Sequence, residues 1–279
     1  MRQLITSVIL LLYFHHNALG QTIRRPIAAE YIGAGAYSNS HADVFSFTAN
    51  QASLSGLKNI SAGIYGEKRY MLNELSFYTA VFALPTRSGN FGLKGGYYGS
   101  ADYNETNAGL AYARKLGSKI DIGVQFNYYG IKVAGYGKAA TINAEAGIIM
   151  HLTERLNAGI HVFNPAGGKF GKNGDEKLPF VYSAGLGYEA SAQFFASMEI
   201  EKEEDLPVNV KTVLQYRVLK QLLVRGGVSS AIPSFWMGCG FGFKSLRIDA
   251  TASYHPQLGV TPGLLLIFNF SKQKDDTTE

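Results

Sequence analysis

The sequence predicts an all-β fold: a closed antiparallel transmembrane β-barrel of about fourteen strands with an N-terminal hatch, or plug, in its lumen. Three observations carry this expectation. Apolar and polar residues alternate with a period of two in segments of about ten residues along the chain, which sends each set to its own face of a sheet. A leader of the export type precedes those segments. The connections between them fall into a tight set and a longer, more polar set that alternate along the chain, as short turns at one membrane face and loops at the other would.

In the leader Arg2 supplies positive charge, Leu4 to Phe14 an apolar core, and Ala18 and Gly20 the small residues before a cut, so residues 1–20 read as a signal peptide and mature protein starts at Gln21. No Cys follows the cut to carry a lipid anchor. After residue 20 no run approaches the ~18 apolar residues of a spanning helix. A membrane crossing must then be made by strands in a closed barrel, where every backbone group is paired. The organisation expected is a plug over 21–57, a barrel over 58–271 and a polar periplasmic tail over 272–279.

Composition agrees. The chain holds 32 Gly, 17 Phe and 17 Tyr against a single Trp, a strand-and-turn balance. Cys239 has no partner for a disulfide or a Cys-based metal site, and its parity with Met237 and Phe241 puts it on the lipid face. The formal charge of +5 is dispersed, which leaves no nucleic-acid footprint.

The expected strands run over 58–68, 74–86, 89–100, 103–115, 118–132, 138–151, 155–164, 178–190, 192–203, 206–219, 221–230, 234–243, 245–255 and 261–270. Phe194, Ala196, Met198 and Ile200 alternate with Phe195, Ser197, Glu199 and Glu201; Val208, Val210, Thr212, Leu214, Tyr216 and Val218 alternate with Asn209, Lys211, Val213, Gln215 and Arg217. The apolar parity faces lipid and the charged parity faces inward, because a Lys or Arg near the bilayer midplane costs roughly 2–4 kcal/mol. The polar lumenal wall therefore includes Glu145, Glu199, Glu201, Lys211, Arg217, Arg247 and Asp249, with Glu199 and Glu201 facing Lys211 and Arg217. The same inward parity holds many glycines, among them Gly123, Gly147, Gly159, Gly185 and Gly187, which implies that something packs closely against that wall. A fourteen-stranded lumen needs a filling or stays a pore, and the small-residue segment 21–57 is the candidate filling.

That segment reads Gly33-Ala34-Gly35-Ala36-Tyr37, then Asp43-Val44-Phe45, then Asn50-Gln51-Ala52-Ser53-Leu54. It resembles the N-terminal hatch signature of the FadL superfamily, a glycine-rich start followed by an acidic residue and an Asn-Pro-Ala turn. The resemblance implies a fourteen-stranded outer-membrane barrel with an N-terminal plug, and marks Gly33, Gly35, Tyr37, Asp43, Asn50, Gln51 and Ala52 as the plug motif. The chain departs from it at Gln51, where the family has Pro, which removes a source of rigidity from the turn. Asn164-Pro165-Ala166 repeats the tripeptide in a loop, where it reads as chance.

No catalytic constellation is expected. Arg247, Asp249, Ser253 and His255 share one face of one strand, but Asp249 is too far along it to orient the imidazole. His151, His161 and His255 are scattered without an acidic cluster, so no metal and no cofactor are expected. The charge run 201–205 reads as a solvated edge. Two functions remain, both in a bacterial outer membrane with both termini periplasmic and membrane lipid around the wall. The first is a non-enzymatic accessory subunit of a larger secretion or assembly complex, as the PorV-like branch of type IX secretion barrels implies. The second is a FadL-like passive transporter of hydrophobic small molecules; the Gly- and Lys-rich loop 164–177, with Phe170 its single aromatic, leans toward the first.

Overall fold

The computed structural model describes residues 29–170, 176–204, 206–230 and 234–270. The expected signal peptide and polar tail lie outside them. The barrel strands are β1 (Ser61–Lys68), β2 (Ser76–Thr86), β3 (Gly89–Gly99), β4 (Tyr103–Leu116), β5 (Ile120–Val133), β6 (Gly137–His151) and β7 (Leu156–Phe163). After the two-residue strands β8 (Lys169–Phe170) and β9 (Glu176–Lys177) come β10 (Val181–Glu189), β11 (Phe194–Glu203), β12 (Asn209–Arg217), β13 (Leu222–Ser229), β14 (Ser234–Phe243), β15 (Leu246–His255) and β16 (Gly259–Asn269).

Fourteen of these close into one antiparallel barrel in which each strand pairs with its sequence neighbours and β16 returns to pair with β1, Ser61 opposite Asn269. Closure leaves no unpaired edge, the condition for strands in hydrocarbon. β8 and β9 form a separate two-stranded ladder in the 164–180 loop.

The alternation read from sequence is realised along the wall. Phe126, Ile142, Tyr182, Leu186, Leu214 and Leu264 are exposed on the outside, whereas Gln125, Asn127, Glu145, Ser183, Gln215 and Asp249 are buried on the inside. Cys239 is exposed on the outer face. With polar rows inward and aliphatic rows outward, the barrel is dressed for a hydrocarbon solvent.

The contrast in loop length is smaller than expected. The connections 134–136 and 256–258 shrink to three residues because β6 and β16 begin early, at Gly137 and Gly259, which hold φ of 108° and 90°. Only glycine adopts such backbone without strain. The two long connections, 69–75 and 164–180, lie at the end opposite Ser61 and Asn269, here called the far end. In the second, Asn164 has a structural role of its own. Asn164 is fully buried at φ 56°, its amide donates to the Leu178 carbonyl at 2.7 Å, and its side-chain oxygen accepts the Gly168 N–H at 2.7 Å. Asn tolerates this left-handed conformation and bonds local backbone, so it organises the loop.

Candidate functional site: the lumenal contacts of residues 31–57

Residues 31–57 lie inside the cylinder, in the half nearer Ser61. A short helix α1 (Ala29–Ile32) leads into turns in which Ala36 N–H donates to the Gly33 carbonyl and Ser38 N–H to that of Gly35. A Cβ on Gly35 would stand 2.4 Å from the His41 carbonyl oxygen, so the chain can fold back here only without a side chain. Two 3-10 turns follow, Ser46–Thr48 and Gln51–Gly56. Asn50 caps the second by accepting the Ala52 N–H at 3.0 Å, and its amide donates to the Ile160 carbonyl at 3.2 Å on β7. One side chain thus closes the turn and pins it to the wall.

Gln51 stands where the hatch signature has Pro, and donates from Nε2 to Glu145 at 2.7 Å. Glu145 also accepts from Asn127 at 2.7 Å and lies 3.0 Å from His161 Nε2. A wall contact replaces the rigidity that proline would have supplied. The histidines are also less isolated than their spacing suggests: His151 sits 3.2 Å from Asp121, whose other neighbour is the Ser55 hydroxyl at 2.6 Å.

Asp43 is the centre of charge. Its Oδ2 receives Arg247 at 2.8 Å and Arg225 at 3.1 Å, and its Oδ1 accepts the Phe45 N–H at 3.0 Å. Arg247 also bonds Asp249 at 2.9 Å, and Asp249 accepts the Tyr31 hydroxyl at 2.8 Å. Arg225 returns to Tyr31 by donating to its carbonyl at 3.3 Å and lying 5.4 Å from its ring centre. Two carboxylates and two guanidinium groups form a closed, neutral circuit, the arrangement that makes buried charge tolerable. Burial alone would raise the Asp43 carboxyl, but the Arg247 and Arg225 guanidinium groups outweigh it and hold the group below its ordinary range.

Elsewhere the segment offers neutral donors to wall carboxylates. Tyr37 donates to Glu199 at 2.6 Å, and the hydroxyls of Ser38 and Ser40 to Glu189 at 2.8 and 2.7 Å. The Tyr37 ring lies against the backbone of β10: a Cβ on Gly185 would stand 2.4 Å from it. Glu199 and Glu201 share Lys211 at 3.3 and 3.0 Å, as read from sequence, but Arg217 is not in that cluster; it faces inward at the near end, β12 having carried it past Glu199 toward the turn. His41 stacks on Phe195 with ring centres 5.6 Å apart, and neither ring nitrogen has a hydrogen-bond partner among the described residues. Burial pushes its pKa down to about 4, so it is neutral at pH 7.

No family model matches the chain, and no curated protein matches it. Solved structures do. A FadL homologue of Pseudomonas aeruginosa superposes with a TM-score of 0.62 at 12% identity, covering 88% of this chain and 98% of that one. The Ralstonia pickettii toluene transporter TbuX gives 0.59 at 12% identity over 82% and 94% of the two chains, and the P. putida toluene transporter TodX 0.60 at 10% over 83% and 95%.

This chain has the FadL-type fold. Within this FadL-type barrel the seven motif residues from Gly33 to Ala52 all fall in the near half. Arg225, Tyr31 and Asn90 complete the contacts there and were not singled out in the sequence, although the inward parity of Arg225 on β13 was available as a signal; Glu189 joins them from the inward polar parity. Asn90 donates to the Leu54 and Leu57 carbonyls at 2.7 and 2.8 Å.

The far half differs in chemistry. Tyr65, Phe77, Tyr98, Tyr129 and Phe163 face inward and are buried, and Phe170 folds in from the 164–180 loop to join them. Arg69, on the 69–75 loop, lies 4.8 Å from the Tyr98 ring centre and pairs with Glu67 at 2.9 Å. The far half of the lumen thus sets aromatic rings beside buried ion pairs, Arg69 with Glu67 and Lys211 with Glu201.

Proposed function

We propose that this barrel is a passive outer-membrane transporter of hydrophobic small molecules, with both termini periplasmic and residues 31–57 as the plug that must shift for a solute to pass. The observation that carries the reading is the inward-facing aromatic row of the far half, Tyr65, Phe77, Tyr98, Tyr129 and Phe163, which sets apolar surface in the lumen between charges that are already paired, Arg69 with Glu67 and Lys211 with Glu201. The fold of TbuX and TodX, each described as a toluene transporter, supports it. The contacts of the plug support it too: discrete hydrogen bonds and ion pairs can be exchanged for water, which continuous strand pairing could not. The 164–177 loop, whose Gly- and Lys-rich composition leaned toward a secretion-complex subunit, buries its one aromatic, Phe170, in the cluster that holds Tyr129 and Phe163, which favours transport.

Uptake of labelled toluene and of a labelled monosaccharide by cells carrying the protein in their outer membrane tests the reading. Toluene uptake should rise several-fold over cells lacking the barrel while sugar uptake stays level. Equal permeation of both, or of neither, overturns it.

A further inference from the structure

The formal charge of +5, dispersed along the sequence, is sorted in space by the fold. At the end that carries Ser61 and Asn269, six exposed cations stand in the connecting segments. Lys58 precedes β1, Arg87 lies between β2 and β3, and Lys119 between β4 and β5. Arg155 lies between β6 and β7, Lys220 between β12 and β13, and Lys244 between β14 and β15. Glu154 is the one exposed carboxylate in those segments among the described residues. The far-end connections reverse the balance, with Glu74, Asp102 and Glu204 exposed against Lys169. Exposed residues at the strand ends keep the contrast: Arg114 and Lys115 add to the near end, whereas Lys132 and Lys138 bring the far end only to parity.

None of the six is ion-paired among the described residues. Every near-end hairpin except that of β10 and β11 contributes one, so they ring the barrel instead of gathering on one side. Neighbouring hairpins stand roughly 10 Å apart, two strand spacings, which is close to one Debye length. Such a ring repels itself unless anions lie among its members. Outward aromatics stand just inside it. Tyr112 donates its hydroxyl to the Ser88 carbonyl at 2.7 Å, next to Arg87, with the Phe91 ring centre 5.1 Å from its own. The Lys244 ammonium lies 5.4 Å from the Phe243 ring centre. The Phe270 N–H donates to the Ile60 carbonyl at 2.9 Å, two residues from Lys58. Aromatic side chains that border an apolar wall in this way sit at headgroup level, so the cations beside them reach the lipid phosphates.

We propose that the near-end rim is a binding belt for anionic phospholipids, each cation holding the phosphodiester of a lipid whose acyl chains lie against the outward apolar rows. Two features favour a lipid annulus over an acidic protein. The charges are spread round the circumference, where a docking protein would cover one side, and they stand at the depth of the headgroups. The charge-balanced far end lacks this attraction, so the barrel distinguishes its two leaflets by the sign of their lipids. The belt is independent of what the lumen carries.

Native mass spectrometry of the full chain released from bilayers of equal phosphatidylglycerol and phosphatidylcholine content tests it. One basic residue near a bilayer surface favours an anionic lipid about fivefold. At low salt, wild type should therefore retain phosphatidylglycerol several-fold over phosphatidylcholine. In about 1 M salt, where the Debye length is about 3 Å, that preference should shrink toward parity. Lys58→Gln, Arg87→Gln, Lys119→Gln and Lys220→Gln combined should bring the two lipids close to parity even at low salt. Lys132→Gln, Lys138→Gln and Lys169→Gln combined should leave the preference of wild type unchanged. If the near-end variant does not fold, the salt titration of wild type together with the far-end variant decides. Equal retention of the two lipids by wild type, a preference unmoved by salt or by the near-end substitutions, or its loss in the far-end variant overturns the proposal, as does an acidic protein retained in place of lipid.

Discussion

Asp43 and Arg247 meet at 2.8 Å across 204 residues of sequence, joining the N-terminal segment to the next-to-last strand of the barrel. Because Arg225 shares the same carboxylate oxygen, removing Asp43 leaves two guanidinium groups facing each other in the lumen. Breaking a buried pair from one side costs roughly 3–5 kcal/mol. Asp43→Asn should therefore loosen residues 31–57 without opening the barrel. Hydrogen exchange should show faster exchange in that segment and unchanged protection in the strands; equal protection in the segment would mean the circuit contributes little to docking.

Tyr37 combines a ring laid on glycine backbone with a hydroxyl bonded to Glu199. Tyr37→Phe keeps the ring and loses the bond, so it should cost about 1.5–3 kcal/mol, the range for a hydrogen bond to a charged acceptor. Gly185→Val acts from the other side, driving the ring off the wall and costing about 1–3 kcal/mol by overpacking. The double variant should lose much less than the sum, since both break the same contact; denaturant titration of segment release measures it, and full additivity would show the two to be uncoupled.

Docking should weaken in acid through His41. Its imidazole has a pKa of about 4 when docked, against an ordinary 6.5, since burial disfavours the cation and Arg217 and Arg225 oppose it while Glu189 and Asp43 favour it. The released segment therefore binds a proton that the docked one does not between those values. Stability is flat above about pH 6.5 and falls as pH drops toward 4, by about 3 kcal/mol in all. His41→Gln should flatten that window, read as the pH dependence of segment exchange. An unchanged slope would assign the acid sensitivity to the wall carboxylates.

The two faces of β12 should respond oppositely to charge. Leu214 is exposed on the outer face, and Leu214→Arg should cost roughly 2–4 kcal/mol of barrel stability. Lys211, three residues away on the inner face between Glu199 and Glu201, is already a cation, and Lys211→Arg should be close to neutral. Equal costs would contradict the assignment of faces.

The barrel was legible because its solvent is written into every strand. With a period of two, each outward position from Ile120 to Tyr128 must be apolar and each inward one from Asp121 to Asn127 is free to be polar, and the observed strands begin and end within a few residues of those read from the sequence. Glycines such as Gly123 and Gly185 on the inward parity also announced close packing, which the Gln51 backbone and the Tyr37 ring supply. Partners were not legible. Which guanidinium meets Asp43 depends on the stagger of strands nearly two hundred residues away, and Arg217, on the correct face, proved to be at the wrong height. The inward aromatics of the far half were visible as parity, Tyr129 beside outward Tyr128 and Phe163 beside Val162, but aromatic residues in a barrel are readily assigned to the interfacial girdle.

The central claim, that residues 31–57 must move for a solute to pass, is tested by locking them. Asn50 Cγ lies 3.0 Å from where a Gly147 Cβ would stand, within reach of a disulfide, so Asn50→Cys with Gly147→Cys in a Cys239→Ser background should bridge the segment to β6. Toluene uptake by cells carrying the oxidised barrel should fall to the level of cells without it and return on reduction. Uptake that is the same with the bridge closed or open would contradict the account.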